Sequence, residues 1–359
     1  MADPRLKNFG RRLLTGLLLA GLFAFLALRQ PQADGRLLQR DLLAMGTLVT
    51  VTVYRDDSLS PAAAERALDD LAGFLQDFET TWSVLGGGAL AQLNAGLARG
   101  ESVSIPPELA PLFQRAAQYT RQSGGRFDVR VGPLVQLWGF DDESRYRQTP
   151  PDPAAVARRV DALRQAPQLG ADARYGPAPE VQFDFGAIAK GEACDLAIAR
   201  LRAAGVRNAI VNLGGNLRVS GQKGDTPWNI GIRHPRPDPA GNAGLLATLP
   251  THGDEAIITS GDYERYFEFE GQRYHHILDP RSGQPARGLQ SVTVISRDGA
   301  LGDAASTALF VAGPQWRETA REMELDQVLA VDEAGQVWVT PALAARLQLR
   351  DGITATPAP

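Results

Sequence analysis

The chain has 359 residues, of which 44% are hydrophobic and 22% are charged, so it is long enough for one large or two modest packed domains. Its formal net charge of −4, without long runs of either sign, argues against a basic surface for nucleic acid. The single cysteine, Cys194, excludes an intrachain disulfide and a cysteine-based zinc or iron–sulfur centre. The fold must therefore be stabilised by its hydrophobic core.

The N-terminus has the order of charged and apolar residues that is typical of an export signal. An uncharged apolar run at residues 13–28 follows the basic residues Arg5, Lys7, Arg11 and Arg12. The run is shorter than the roughly 20 residues of a spanning helix, but no convincing cleavage site follows it. We therefore predict a signal or membrane anchor over residues 1–35, with an uncleaved anchor favoured, and one folded domain over residues 36–359. Export predicts that this domain lies at the periplasmic face of a bacterial inner membrane or in the periplasm.

From residue 46 onward the chain shows alternating strand and helix patterns. Alternating β-branched residues predict a strand over residues 46–54, and apolar residues at helical spacing predict helices over residues 61–78 and 109–119. Residues 149–179 are rich in proline, alanine and arginine, and we interpret them as a surface insertion without chemistry that contains a short helix over Pro153–Gln165. Further strands are predicted over residues 181–185, 208–213, 228–233, 266–270, 274–278 and 291–296, and further helices over residues 190–204 and 301–311.

The predicted strands outnumber the predicted helices, and many consecutive strands are separated only by short turns, as expected for hairpins. One such hairpin is predicted around residues 332–335. This arrangement favours an α+β fold, with mostly antiparallel or mixed sheets and packed helices, over a doubly wound parallel sheet.

Two glycine turns follow predicted strands, at residues 184–191 and at residues 212–216. In the first turn a helix begins directly after the glycine, so its backbone N–H groups and the Lys190 ammonium are able to bind a phosphate group. A purely structural role is at least as common for such turns, and neither turn is a Walker or Rossmann fingerprint. The turns alone therefore leave a phosphate site and a tight connection as alternatives.

Two further groups of polar residues have spacings that suit catalysis or metal binding. His275 and His276 are adjacent in a predicted strand, so their side chains point to opposite faces and only one of them is able to enter a cleft. Asp303 and Thr307 share one face of a predicted helix, and a carboxylate with a hydroxyl suits a hard cation such as Mg²⁺. Taken alone, a structural histidine and a polar helix cap explain these residues equally well.

Distinctive blocks follow one another along the chain, at residues 44–47, 127–129, 131–134, 137–140, 184–191, 212–216, 259–265, 276–283 and 303–313. The order of these blocks resembles the ApbE family, the FAD:protein FMN transferases. The resemblance extends from about Ala44 to Gly313. Such an order is specific for the family but not for the acceptor protein on which a member acts. The resemblance implies an ApbE-like α+β fold.

The resemblance also implies which residues bind the flavin and the metal. The implied FAD site is lined by Met45, Trp82, Arg126, Phe127, Asp128, Asp184, Lys190 and Ile277. The implied Mg²⁺ ligands are the Ala187 carbonyl, Asp303 and Thr307. His276, which matches the family block and precedes Ile277, is the predicted catalytic side chain and would assist proton transfer.

The activity that the resemblance implies is Mg²⁺-dependent transfer of FMN from FAD to a threonine of another protein, with release of AMP. Family acceptors carry an Asp-x-x-Ser/Thr-x-Ala-Thr-like sequence and belong to sodium-pumping quinone reductases, Rnf-type complexes and nitrous-oxide-reduction flavoproteins. Two other functions stay open, namely a FAD pyrophosphatase that releases FMN and AMP, and a non-catalytic FAD-binding assembly factor. Trp82 argues against the pyrophosphatase branch, which has a small polar residue there, and Lys190, Asp303 and Thr307 argue against the assembly factor.

The chain departs from the family pattern in several places. A glycine-rich stretch at residues 83–88 replaces the usual Ser/Glu-containing stretch before Leu93 and Asn94. Glu192 stands where an aromatic residue is common, and Arg130 stands where a small hydroxyl residue is common. The sequence leaves open whether these two charged residues lie on the surface.

Overall fold

The computed structural model describes residues 35–142, 147–170, 172–236 and 244–358. The predicted anchor, with its apolar run at residues 13–28, lies outside the described residues. Within the described ranges, every helix is too short or too polar to span a bilayer. The chain divides into a unit of Met1–Leu38 and a compact unit of Gln39–Pro359, and the second unit contains all the described helices and strands except the first two residues of β1.

The secondary structure alternates irregularly between strands and helices. The strands are β1 (Leu37–Ala44), β2 (Thr47–Tyr54), β3 (Val103–Ser104), β4 (Arg174–Tyr175), β5 (Asn208–Leu213), β6 (Asn216–Ser220), β7 (Asn229–Arg233), β8 (Leu245–Pro250), β9 (Asp254–Gly261), β10 (Tyr266–Phe269), β11 (Gln272–His275), β12 (Leu289–Ser296), β13 (Val328–Asp332), β14 (Val337–Val339), β15 (Gln348–Leu349) and β16 (Ala355–Pro357). The helices are α1 (Pro61–Trp82), α2 (Ala89–Ala98), α3 (Ala110–Gln122), α4 (Gly132–Trp138), α5 (Pro153–Gln165), α6 (Ala189–Ala203), α7 (Gly299–Ala312), α8 (Trp316–Glu322) and α9 (Pro341–Ala344).

A nine-stranded sheet forms the centre of the fold, in the order β1-β2-β5-β6-β9-β12-β13-β14-β16. The ladders from β2 to β14 are antiparallel, and β16 pairs with β14 in parallel. The predicted α+β fold with mostly antiparallel, mixed sheets is therefore confirmed.

The sequence patterns explain why the first strands and helices form. In β2 every second side chain, Val49, Val51 and Val53, is fully buried, as the alternation predicts. Helix α1 begins after Ser60, whose hydroxyl accepts a hydrogen bond from the backbone N of Ala63 at 3.2 Å. Its apolar residues lie on one face, which is buried as far as the last turn of the helix.

Helix α7 is deeply buried against the central sheet. It packs on β9, β12 and α6, and its residues Ala304, Ala305, Ala308 and Leu309 have no exposed surface. Small side chains allow α7 to lie close to both the sheet and α6. As a result, any polar residue on α7 is held in a fixed position.

Two strand predictions are wrong in part. Residues 181–185 form only an isolated bridge, between Val131 and Gln182, because a side chain of α2 and a neighbouring loop satisfy their backbone groups instead of a ladder. The backbone N and carbonyl of Phe183 bind the side chain of Asn94 at 2.8 and 2.9 Å, and the backbone N of Asp184 donates to the Val129 carbonyl at 2.7 Å. The strand predicted over residues 274–278 ends at His275, and the following residues turn toward the Arg265 carbonyl.

The interpretation of residues 149–179 as a surface insertion is also wrong. Helix α5 forms as predicted, but Val156, Val160 and Leu163 are buried in a core cluster with Trp138. Trp138 Nε1 donates to the carbonyl of Gly283 at 2.8 Å, which joins α4 to the loop that follows β11. The segment is therefore part of the core beside that loop.

Candidate functional site

A cavity of about 580 Å³ opens where the β1–β2 turn, the end of β9, the loop after β11 and the start of α6 meet α7. Its volume is typical of small-molecule sites. All but one of the site residues predicted from the sequence line this cavity, namely Met45, Arg126, Phe127, Asp128, Asp184, Ala187, Lys190, His276, Ile277, Asp303 and Thr307. The exception is Trp82. The structure thus brings residues together that are spread over most of the chain.

The β1–β2 turn contributes Met45 to the cavity wall. Met45 and Gly46 both have positive φ angles, of 53° and 68°. Two consecutive left-handed residues fit the two-residue hairpin turns that usually contain asparagine or glycine. A methionine in this conformation carries backbone strain, and such strain is concentrated at functional sites.

The turn before α6 and the first turn of that helix place the Lys190 side chain in the cavity wall. Asp184 Oδ1 accepts a hydrogen bond from the backbone N of Gly186 at 2.7 Å, and Lys190 Nζ donates to the Gly186 carbonyl at 2.9 Å. Lys190 forms no ion pair with any residue that the structure describes. Its ammonium is therefore well suited to an anionic ligand such as a phosphate group.

A close contact between α6 and α7 positions Asp303. A Cβ atom on Gly191 would lie 2.1 Å from the Gly299 carbonyl oxygen, so only glycine fits at this crossing. The close approach allows the backbone N of Gly191 to donate to Asp303 Oδ2 at 2.9 Å. Gly191 therefore has a packing role, and its N–H group binds a carboxylate of the protein instead of pointing at a ligand.

Asp303 and Thr307 lie on the cavity side of α7, one turn apart. Asp303 is 4% exposed, and this burial raises the pKa of its carboxyl group, while the Lys190 ammonium and the backbone N–H of Gly191 act in the opposite direction. Thr307 Oγ1 lies 3.4 Å from Ser260 Oγ. The charges of Asp303 and Lys190 therefore dominate the electrostatics of this part of the cavity, beside the neutral Thr307 hydroxyl.

His276 and His275 have different surroundings. His276 lines the cavity, with Nδ1 3.3 Å from the Arg265 carbonyl oxygen. Since a carbonyl can only accept, Nδ1 donates and Nε2 is left as a proton acceptor. Burial lowers the pKa of His276 well below its usual 6.5, and the charges of Arg265 and Lys190 lower it further. The side chain of His275 points away, and its Nε2 lies 2.9 Å from the Ala286 carbonyl.

Several known proteins have sequences similar to that of this chain. Residues 45–330 match the model of the ApbE family. The chain belongs to the ApbE family. The FAD:protein FMN transferase of Rhodobacter capsulatus is 37% identical over 351 residues, which is 96% of this chain and 64% of that relative, so the chain spans less than two thirds of that relative. The FAD:protein FMN transferase of Treponema pallidum is 37% identical over 293 residues, which is 76% of this chain and 77% of the relative.

A solved structure also supports the fold. The crystal structure of the ApbE protein from Thermotoga maritima is 29% identical, with a TM-score of 0.75, and the match covers 86% of this chain and 99% of that protein. The match supports the ApbE-like fold that the sequence predicted.

The oxygen atoms at the α6–α7 contact fit the metal that the ApbE resemblance implies. In the described ranges, no cluster of three or more His, Cys, Asp or Glu side chains is arranged to hold a metal. A metal in this cavity would therefore depend on Asp303 together with neutral oxygens. The Thr307 hydroxyl and the Ala187 carbonyl are such oxygens, and an all-oxygen set is what Mg²⁺ prefers. Both residues line the same cavity as Asp303.

Trp82 lies behind the cavity wall in this ApbE family member. It is 8% exposed, and its ring centroid is 4.8 Å from that of Phe185 and 6.5 Å from that of Phe113. The aromatic cluster packs beneath the chain segment that carries Asp184. A direct contact between Trp82 and FAD stays a prediction.

The two unusual charged residues, Glu192 and Arg130, both have structural partners. Glu192 forms an ion pair with Arg115, which also binds Asp298. The side chain of Asp298 caps α7, because its Oδ1 accepts from the backbone N of Leu301 at 2.8 Å. Through Arg115 and Asp298, Glu192 therefore helps to fix the start of α7, which carries two of the predicted metal ligands.

Arg130 is a buried partner of Asp128 and does not lie on the surface. Arg130 Nη2 lies 2.6 Å from Asp128 Oδ2, Arg130 Nε lies 3.0 Å from Oδ1, and the two side chains are 4% and 6% exposed. Arg130 Nη1 also donates to the Pro167 carbonyl at 2.8 Å. The segment after α5 thus helps to position a residue that lines the cavity.

We expect Arg130→Ala to destabilise the protein strongly, because it leaves the Asp128 carboxylate buried without its cation. Such a loss typically costs about 3–5 kcal/mol of unfolding free energy. Arg159→Ala is a matched control, since its ion pair with Glu180 is 43% and 61% exposed and is expected to contribute less than about 1 kcal/mol. Urea unfolding measures both values, and equal effects of the two substitutions would argue against the importance of the buried pair.

Sequence reasoning assigned no role to several polar residues of the cavity. They include Thr47, Asn216, Thr259, Ser260, Glu264 and Arg265. Asn216 is only 3% exposed, and a hydrogen bond from its side chain acts to lower the pKa of the Asp303 carboxyl group. Most of these residues fall within blocks that resemble the family, and that membership was the available signal. The blocks identified the chain segments at the site, and the structure shows which of their side chains face the cavity.

Proposed function

We propose that this protein is a FAD:protein FMN transferase, which moves FMN from FAD to a threonine hydroxyl of an acceptor flavoprotein and releases AMP. The observation that carries this proposal is the arrangement of Lys190, Asp303 and His276 around one cavity. They supply a cation for phosphate, a carboxylate for a metal and a neutral imidazole for a proton. Names of relatives in the ApbE family support the same activity.

Phosphoryl transfer to a hydroxyl requires neutralisation of the pyrophosphate, because its charges repel the incoming oxygen. The Lys190 ammonium would bind one side of the pyrophosphate. Asp303, Thr307 and the Ala187 carbonyl would hold Mg²⁺ in the same cavity. When bound there, Mg²⁺ would act as a Lewis acid that withdraws charge from the phosphate oxygens.

His276 would accept the proton of the attacking threonine. The threonine oxygen forms a bond to the phosphorus of the FMN half, the bond from that phosphorus to the bridging oxygen breaks, and AMP leaves with the bridging oxygen. The hydroxyl proton passes to His276 Nε2. Because burial lowers the pKa of His276, the imidazole is neutral at pH 7 and able to take up this proton.

We also propose that the enzyme acts outside the cytoplasm, attached to the inner membrane through its N-terminus. The basic residues and the apolar run at residues 13–28 support this location. The acceptors would be extracytoplasmic flavin domains of sodium-pumping quinone reductases, Rnf-type complexes or nitrous-oxide-reduction flavoproteins. Membrane fractionation of cells that express the full chain tests the location, and a chain that stays in the cytosol would contradict it.

One assay separates the proposed transferase from the two alternatives. The full-length protein is incubated with FAD, Mg²⁺ and the flavin-bearing extracytoplasmic domain of a sodium-pumping quinone reductase. A transferase makes the acceptor band fluorescent after denaturing electrophoresis, and replacement of the acceptor threonine by alanine removes that fluorescence. Release of free FMN and AMP with an unlabelled acceptor would identify a pyrophosphatase. Tight FAD binding without either product would identify an assembly factor.

A further inference from the structure

A second cavity of about 330 Å³ lies beside the first and shares Asp128 and Pro280 with it. Arg121, Arg164 and Arg281 line its outer part, and we call it the arginine groove. Because the two cavities share wall residues, a molecule in the groove would be adjacent to whatever occupies the main cavity. None of the catalytic or metal-binding roles above uses the groove.

The arginine groove has an excess of positive charge although the chain as a whole is acidic. Arg121 is exposed at the end of α3 and has no ion-pair partner among residues 35–142, 147–170, 172–236 and 244–358. The Arg164 side chain is 67% exposed, and its ion-pair partner within the described part of the chain is Asp161 on its own helix, at 3.1 Å. Such an exposed pair compensates its charge weakly.

The remaining charged residues do not cancel this excess. Asp128 is the carboxylate that lines the groove, and Arg130 already neutralises it. Arg281 makes a two-point contact with Asp279, at 2.9 Å for both hydrogen bonds, so its charge is largely compensated and the excess rests on Arg121 and Arg164. Arg164 Nη2 lies 3.4 Å from the Arg281 carbonyl oxygen, so the two guanidinium-bearing residues are neighbours.

The floor of the arginine groove is apolar. Val160 and Leu163 of α5 form it together with Pro280. A free phosphate or a nucleotide phosphate gains little from an apolar floor, whereas a polypeptide segment with acidic and aliphatic side chains matches both the floor and the arginines. The groove therefore has the character of a protein-binding surface.

We propose that the arginine groove binds an acidic segment of the acceptor protein and so delivers the acceptor threonine to the main cavity. The inference rests on the proposed function, because a transferase must bind a second polypeptide beside FAD. The shared wall at Asp128 and Pro280 places such a segment next to the reacting groups. Positive charge at the rim would mainly speed the encounter and make it sensitive to salt.

The test uses the full-length enzyme with the double substitution Arg121→Glu/Arg164→Glu and the same quinone reductase domain as acceptor. We expect the KM for the acceptor to rise about tenfold or more, while the KM for FAD stays within about twofold of the original value. Added NaCl should raise the acceptor KM of the unaltered enzyme and have little further effect on the variant. Calorimetric binding of a threonine-to-alanine acceptor should weaken in parallel.

The matched control is Arg158→Glu/Arg350→Glu, which makes the same change of net charge at exposed sites outside the groove. Arg158 lies on the same helix as Arg164. An equal rise of the acceptor KM in the control, or an unchanged acceptor KM in the groove variant, would overturn the inference. A rise of the FAD KM alone would assign the groove to FAD and also overturn it. If the unaltered enzyme transfers no FMN, the proposed function fails instead.

Discussion

Replacement of Asp303 by alanine is expected to abolish FMN transfer at ordinary Mg²⁺ concentrations. Asp303 is the acidic side chain of α7 and the buried carboxylate that faces Lys190 and Thr307 in the cavity. Without it, the cation would be held only by neutral oxygens and the pyrophosphate charge would stay uncompensated. We expect a loss of about a hundredfold or more in the transfer rate, measured by acceptor fluorescence.

Two further variants separate charge from packing at this position. Asp303→Asn keeps the size of the side chain and an oxygen for the backbone N–H of Gly191, so it should fold normally and still lose transfer. Thr307→Ala removes only a neutral ligand, and excess Mg²⁺ should restore part of its activity. Isothermal titration with Mg²⁺ reports the same order of affinities without turnover. Full activity of Asp303→Ala in the presence of EDTA would refute the metal site and the mechanism based on it.

The second large effect is expected at His276. His276→Ala should slow the transfer step by about 10²–10⁴-fold while FAD still binds, because the proton acceptor is lost but the cavity stays open. Single-turnover kinetics give the rate of the step, and fluorescence quenching of FAD gives the affinity. His275→Ala should leave the rate of the step nearly unchanged, since His275 binds the Ala286 carbonyl away from the cavity. Equal losses from both substitutions would contradict the assignment.

The pH dependence provides an independent test of His276. Burial and the neighbouring charges of Arg265 and Lys190 lower the pKa of His276, so its neutral, active form persists below pH 6.5. The transfer rate should therefore stay constant as the pH falls through 6.5 and decline only in more acidic solution. A decline centred at pH 6.5 would indicate that the base is an exposed histidine. The buried His275, with a pKa lowered to about 4, does not titrate at that pH either.

The sequence predicted the strands and helices well where burial of one apolar face was the dominant interaction. Valine alternation in β2 and the apolar face of α1 gave the correct elements, because burial of one face overrides other preferences. Residues 181–185 look like a strand by the same criterion. Their backbone hydrogen bonds go to the Asn94 side chain and to the Val129 carbonyl, and a partner that is distant in the chain cannot be read from local periodicity.

The sequence by itself determined the family and many of the residues around the cavity, because ordered motifs carry that information along the chain. Only the tertiary structure decided which backbone and side-chain atoms meet. Gly191 had to be glycine because α6 and α7 cross there, and the same contact delivers an N–H group to Asp303. The sequence left open whether Arg130 lies on the surface. In the fold it is buried and neutralises Asp128, and the Pro167 carbonyl from a separate segment also binds it. The arginine groove likewise exists only where α3, α5 and the Pro280 loop come together, because electrostatic potential depends on distance in space and not on position in the chain.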